Sequence, residues 1–180
     1  MGFIRGLITL ILWAAVLAAV VAVGSKLALP DGYTVATSVL IHVSPDRTWS
    51  RIDDLTQWMS WMRGIERLDM ERGTGRETGS TGRAHIYTGF QGLDLTVQLV
   101  EVIPLRSVRY RVNGGPQDGV TSTIELQTID QGRSTLVRWT ESQTPGGLWG
   151  NLKARVLLSI VQTHHEESLN RLKFTLERAM

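Results

Sequence analysis

The sequence predicts an α+β domain, an antiparallel meander of strands followed by one long C-terminal helix, behind an apolar N-terminal segment. Three observations carry this expectation. Successive runs rich in β-branched residues are separated by short Gly-, Pro- and Asp-containing turns, which favours hairpin connections between neighbouring strands. Leu157, Val161, His165, Leu169, Leu172 and Leu176 recur at helical spacing near the C-terminus. Leu7–Val23 contains no charged residue, and Thr9 is its only polar side chain.

The first strand is expected at Tyr33–Val43 (YTVATSVLIHV), a run dominated by residues that suit a pleated surface. Ser44-Pro45-Asp46 then reads as a helix start. Ser44 can accept a bond from a free backbone N–H, Pro45 suits the first helical position, and Asp46 favours the positive helix end. Trp49, Ile52 and Leu55 give a short amphipathic helix, and a further turn or two carries Trp58, Met59, Trp61 and Met62 before Gly64. Trp49 is expected in the core. Further strands are read at Ile65–Glu71, Arg83–Thr88, Leu93–Ile103, Ser107–Val112, Thr121–Thr128 and Ser134–Gln143. Alternation sets their faces: Leu93, Leu95, Val97 and Leu99 share one side, and Val108, Tyr110 and Val112 oppose Arg109 and Arg111. The last helix is expected over Leu148–Glu177, about 45 Å long at 1.5 Å per residue, with a bend or a frayed first turn.

Charge narrows the partners. Of 19 basic residues, two (Arg5 and Lys26) lie in the first 30, where there is no acid. The remainder carries 17 basic and 17 acidic side chains and no formal net charge. A neutral domain lacks the electrostatic footprint of a nucleic-acid binder, so no nucleic-acid partner is expected. The absence of cysteine excludes disulfides, thiolate metal sites and a Cys nucleophile.

The chain divides into residues 1–26 as a transmembrane anchor, 27–32 as a linker and 33–180 as the domain. Gly6–Gly24 would make a helix of about 28 Å, close to a hydrocarbon core of roughly 30 Å. The competing reading is a signal peptide cleaved after Ala22-Val23-Gly24, although the apolar run exceeds the usual length of such a region. Arg5 and the α-amino group precede the run and Lys26 alone closely follows it, which favours a single-pass membrane protein with its domain on the extracytoplasmic side.

Several local patterns resemble the START/polyketide-cyclase (SRPBCC) superfamily. Val43-Ser44-Pro45-Asp46-Arg47-Thr48-Trp49 is similar to its strand exit and capped first helix, and Asp53-Asp54-Leu55 through Trp58 and Trp61 to its "D…W..W" stretch. Glu101-Val102-Ile103-Pro104 with Ser107-Val108-Arg109-Tyr110, Gly132–Trp139, and Leu169-Asn170-Arg171-Leu172 resemble later segments in the same order. The resemblance covers roughly Thr34–Glu177. It implies a helix-grip fold, in which a curved sheet wraps around the last helix, with an apolar cavity between them for a lipid, polyketide or other hydrophobic small molecule. Catalysis is not implied, since one fold hosts many functions.

On that resemblance the cavity candidates are Trp58, Trp61, Tyr87, Leu95, Val97, Tyr110, Trp139, Val161 and His165. Trp58 and Trp61, three apart, can border a cavity mouth or lie as a lid over the sheet edge. Trp139 shares parity with Val137 and faces either the cavity or a filled core. Four histidines raise the question of a metal, but His42 and His85 are isolated, and the adjacent His164 and His165 point about 100° apart on a helix. No metal-ligand spacing appears, and neither metal nor cofactor is expected. His165 lies on the apolar stripe, as a core histidine or a ligand contact. Glu101, Glu141, Asp94, Tyr87 and Tyr110 are the acid–base candidates. Glu101 reads as a turn residue and Glu141 as a surface ion-pair partner of Arg138. The glycine-rich Gly73–Gly82 lacks the ending of a phosphate loop and is expected to be a flexible hairpin loop. Arg106, Arg109 and Arg111 form a basic row expected to pair with Glu125 or contact an anionic lipid. The function expected first is membrane-anchored binding or transport of a hydrophobic molecule. A polyketide cyclase or dehydratase and a protein-partner module with a closed cavity are the alternatives.

Overall fold

The computed structural model describes residues 33–87, 92–114, 119–143 and 147–179, with the side chains of the last helix described from Leu158 onward. The candidate anchor, the linker, and the side chains of Trp149 and Leu157 lie outside the described residues. Among the described residues no helix is long and apolar enough to cross a membrane.

Seven strands form one antiparallel sheet: β1 Tyr33–Ile41, β2 Ile65–Arg72, β3 Thr81–Tyr87, β4 Gly92–Ile103, β5 Ser107–Asn113, β6 Val120–Ile129 and β7 Ser134–Gln143. Their order is β1-β7-β6-β5-β4-β3-β2, so β2 to β7 are the expected meander. The first strand returns to pair with the last, from Tyr33 opposite Gln143 to Ile41 opposite Thr135. A register shift between Leu99 and Glu101 leaves Val100 as an extra residue in β4, and two more shifts interrupt β2. Such bulges bend strands and increase twist, consistent with a curved sheet.

The concave side takes alternate residues of each strand. Leu95, Val97 and Leu99 on β4, Val108, Tyr110 and Val112 on β5, and Val120, Ile124 and Leu126 on β6 are all buried. Helix α2, Gly147–Arg178, is 32 residues long, or about 48 Å. Val161, His165, Leu169, Leu172 and Leu176 of its expected stripe are buried. Its burial against β1 makes the helix-grip arrangement.

Between β1 and β2 lie α1 (Pro45–Ile52) and a 3₁₀ helix (Leu55–Ser60), the latter tighter than the expected α-helical turns. Trp49 and Ile52 are buried, as the amphipathic spacing requires. Ser44 does occupy the N-cap, but its side chain makes no capping bond. Its carbonyl instead accepts from both the backbone N–H and the hydroxyl of Thr48, each at 3.1 Å.

Gly73–Gly82 differs more. Strand β3 begins within it, at Thr81, and the loop before it is tied down at several points. Leu55 donates its backbone N–H to the Gly75 carbonyl (3.0 Å), Gly79 donates to Leu99 (2.8 Å), and Leu99 donates to Ser80 (2.9 Å). Arg76 bridges to Asp54 at 2.9 Å and to Asp53 at 3.5 Å. Gly75 has φ +87°, a conformation that glycine adopts without strain and that turns its carbonyl toward the 3₁₀ helix.

Candidate functional site

The buried end of the sheet beneath α2 is lined by aromatic rings. In a 3₁₀ helix side chains three apart eclipse, so Trp58 and Trp61, the latter at its C-cap, emerge together. Both are almost fully buried, inside the core rather than as a lid over a sheet edge. The Trp58 indole N–H donates to the Ile52 carbonyl (2.9 Å), and that of Trp61 to the Arg51 carbonyl (3.0 Å). Trp58 meets Tyr110 edge-on at 4.7 Å between centroids and Trp61 at 6.2 Å. Trp61 in turn meets Trp139 at 6.1 Å, and Trp139 stacks on His165 at 3.9 Å with 14° between the planes.

A buried polar group borders these rings. Glu141 does not form a surface pair with Arg138. Strand alternation turns it inward with Val137 and Trp139, and Arg138 outward. The Tyr33 hydroxyl donates to Glu141 Oε1 (2.8 Å), the Ser122 hydroxyl to Oε2 (3.2 Å), and His165 Nε2 lies 3.4 Å from Oε2. Strands β1, β6 and β7 and helix α2 therefore converge on one carboxylate. Burial alone would raise its pKa, but the His165 and Tyr33 hydrogen bonds and the neighbouring histidines outweigh this and hold the carboxyl below its ordinary range. Burial and the Glu141 charge push the Tyr33 phenol far above its ordinary range, and push Tyr110 upward too.

Two nitrogens here are left over. Trp139 Nε1 and His165 Nδ1 are buried and have no hydrogen-bond partner. The indole N–H lies near enough to the Tyr110 oxygen to oppose the rise in that phenol's pKa without meeting it in hydrogen-bond geometry. Adjacent His164 plays a different part. It contacts the Arg63 carbonyl (2.8 Å) while Ser168 accepts from the Arg63 N–H (2.9 Å), docking the chain after Trp61 onto α2. Burial lowers the His164 pKa.

The remaining candidates separate. Leu95 and Val97 lie in the main core, whereas Val161 packs with Tyr33 and Val35 in a second apolar cluster. Tyr87 is 51% exposed; it shares parity with Arg83 and His85 on the outer face, opposite to the buried Ala84. It does not join the others. Asp94 is also exposed and bonded to His85 Nδ1 at 2.8 Å. Glu101 is a ladder residue rather than a turn residue, paired with Arg109 at 3.4 Å. The basic row therefore finds Glu101, while Glu125 lies opposite Ser107 and Arg138 in the sheet. Arg106, Glu125 and Arg138 border a surface groove of about 280 Å³ on the outer face. Among the described residues no cluster of three metal-ligating side chains occurs.

Sequence reading missed Tyr33 and Ser122. Ser122 carries a visible signal, a hydroxyl at an inward position between Val120 and Ile124. Tyr33 reaches Glu141 only through the pairing of the first and last strands.

Residues 33–177 match the family described as "Polyketide cyclase / dehydrase and lipid transport". Among solved structures, the Zhui aromatase/cyclase from Streptomyces sp. R1128 is similar in fold, with a TM-score of 0.68, 16% identity, and coverage of 82% of this chain and 94% of that one. A conserved protein from Geobacillus kaustophilus gives 0.67, 15%, 82% and 97%, and TTHA0849 from Thermus thermophilus gives 0.63, 18%, 82% and 99%. No curated protein matches the chain.

Proposed function

Because the chain belongs to the polyketide cyclase/dehydrase and lipid transport family, we propose that it binds or carries a hydrophobic small molecule or lipid between the sheet and α2. The observation that carries this reading is the aromatic array Tyr110–Trp58–Trp61–Trp139, ending at two buried nitrogens without partners. Large rings supply apolar contact, and a few convergent polar atoms supply orientation. The uncharged run Leu7–Val23 holds the domain at a membrane, where apolar ligands are concentrated, with the domain on the extracytoplasmic side. The test is uptake of the neutral fluorophore N-phenyl-1-naphthylamine by the full chain in lipid-free amphipol. Saturable 1:1 energy transfer from tryptophan is expected; uptake that never saturates contradicts the reading.

One observation favours a second reading, a cyclase or dehydratase. Two of the expected acid–base candidates, Glu141 and Tyr110, converge with His165, and a carboxylate-oriented imidazole is suited to moving a proton. Turnover of a polyketide-like substrate that is abolished by His165→Gln while binding persists would favour this reading over a carrier.

A further inference from the structure

We propose that the domain itself rests on an anionic lipid surface through the first half of α2, with Leu158 and Ile160 as the residues that enter it. This inference rests on the membrane-held carrier reading and names a second contact with the bilayer, along the helix that walls the ligand space.

The two halves of α2 meet solvent differently. Leu158, Ser159 and Ile160 are all exposed, and at about 100° per residue they sweep roughly 200° of the helix circumference. Leu158 is 40% and Ile160 59% exposed. The next residue, Val161, is buried with Tyr33 and Val35. Further along, Gln162, Thr163, Glu166, Glu167, Asn170 and Arg171 occupy exposed positions, and all are polar. Phe174 is an apolar exception there, and the Arg178 guanidinium lies over its ring at 4.1 Å. An exposed apolar patch marks an interaction site when other features converge on it.

Charge and connectivity decide what covers this patch. Residues 147–161 contain Lys153 and Arg155 and no acid, whereas Glu166, Glu167 and Glu177 all lie in the second half of the helix. A stretch that is both apolar and basic suits anionic headgroups over an apolar interior. The chain itself brings such a surface close. Val161 shares a cluster with Tyr33, where the domain starts, and Val23, the last residue of the uncharged run, lies ten residues before Tyr33. Ten residues reach at most about 36 Å, so a bilayer holding Leu7–Val23 is tethered beside Leu158 and Ile160. Tethering makes the contact intramolecular, and a patch of two side chains, too small to hold a free protein to lipid, then suffices. Among the described residues no helix is long and apolar enough to cross a membrane, so α2 lies on the bilayer and not through it.

The test uses the full chain in nanodiscs of phosphatidylglycerol and phosphatidylcholine, one chain per disc. The sequence has no cysteine, so Leu158→Cys, Ile160→Cys and, as a reference, Phe174→Cys each carry a single nitroxide. Phe174 is also exposed and lies about 21 Å beyond Ile160 along the axis. Power-saturation electron paramagnetic resonance reads collisions with oxygen, which concentrates in lipid, and with a water-soluble nickel chelate. At the first two positions nickel collisions should fall several-fold below those at the reference, while oxygen collisions rise. Reversing the charge with Lys153→Glu and Arg155→Glu should restore nickel access to the Ile160→Cys label in a chain that still melts cooperatively. Labels at the first two positions as open to nickel as the reference would overturn the inference while leaving the anchor in place. Labels closed to both reagents would overturn it equally, since the cover is then protein, such as Leu7–Val23 itself. Shielding unmoved by the charge reversal would contradict an anionic surface. A chain not retained by the disc would overturn the membrane reading and the inference with it. Uptake of N-phenyl-1-naphthylamine, measured without lipid, judges the carrier reading separately.

Discussion

Replacing Glu141 with alanine removes the one acceptor on which four elements converge. Three donors lose it: the Tyr33 hydroxyl at 2.8 Å, the Ser122 hydroxyl at 3.2 Å and His165 Nε2 at 3.4 Å. The first is the shortest and strongest of these, and the other two are longer and weaker. Breaking a buried charged network by deleting one partner costs about 3–5 kcal/mol, because the remaining polar groups are stranded out of water. For a domain of this size, each kcal/mol moves Tm by roughly 2–4 °C, so a fall of about 6–20 °C is expected. The pH dependence is a sharper check. The folded-state pKa of Glu141 is lowered from 4.5, so its stabilisation is complete above that value and lost as pH falls through the folded pKa. Urea denaturation followed by tryptophan fluorescence, at pH 7 and at steps below 4.5, measures both effects. A difference under about 1 kcal/mol at pH 7 falls outside the range expected for a buried network. Such a result, or a difference that stays constant on acidification, would refute the reasoning.

Three further outcomes follow from the same contacts. Tyr33→Phe should cost about 1.5–3 kcal/mol, the range for a hydrogen bond to a charged acceptor, by urea denaturation at pH 7. Because the Tyr33 pKa is raised in the folded state, its contribution is complete below pH 10 and lost above it; the variant should therefore show a shallower alkaline loss of stability in thermal melts. The His164 pKa is lowered from 6.5, so its contribution is present above 6.5 and lost as pH falls through the folded value. His164→Asn should flatten the stability profile in that acid range, read as Tm against pH. Arg76→Ala releases the bridge to Asp53 and Asp54, and limited proteolysis should then cut within residues 73–80 faster than in the parent chain.

Local pattern made much of this fold legible. Short turns between β-branched runs gave the meander, and the stripe from Val161 to Leu176 gave the buried face of α2, because both depend on near-neighbour periodicity. Glu141 shows where local reading failed for an avoidable reason. Arg138 is three residues away, but residues an odd number apart on a strand face opposite sides, whereas Glu141 shares parity with Val137 and Trp139. The same counting sets Tyr87 against Ala84. Tyr33 is a different matter. Its bond to Glu141 spans 108 residues and exists because Val35, two positions on, pairs with Glu141 across β1 and β7. The pinning of Gly73–Gly82 is likewise tertiary: glycines suggest freedom, and contacts to Leu55, Leu99 and Asp54 remove it.

The central claim is that the space between the sheet and α2 takes a hydrophobic guest. Native mass spectrometry of the full chain, expressed in cells and released from lipid nanodiscs, tests it most directly. The account predicts one bound small molecule per chain, retained at collision energies that strip bilayer lipid and lost when Trp139→Ala removes the ring stacked on His165 in a chain that still melts cooperatively. A chain that emerges with no retained mass, at energies that preserve known protein–lipid complexes, would contradict it.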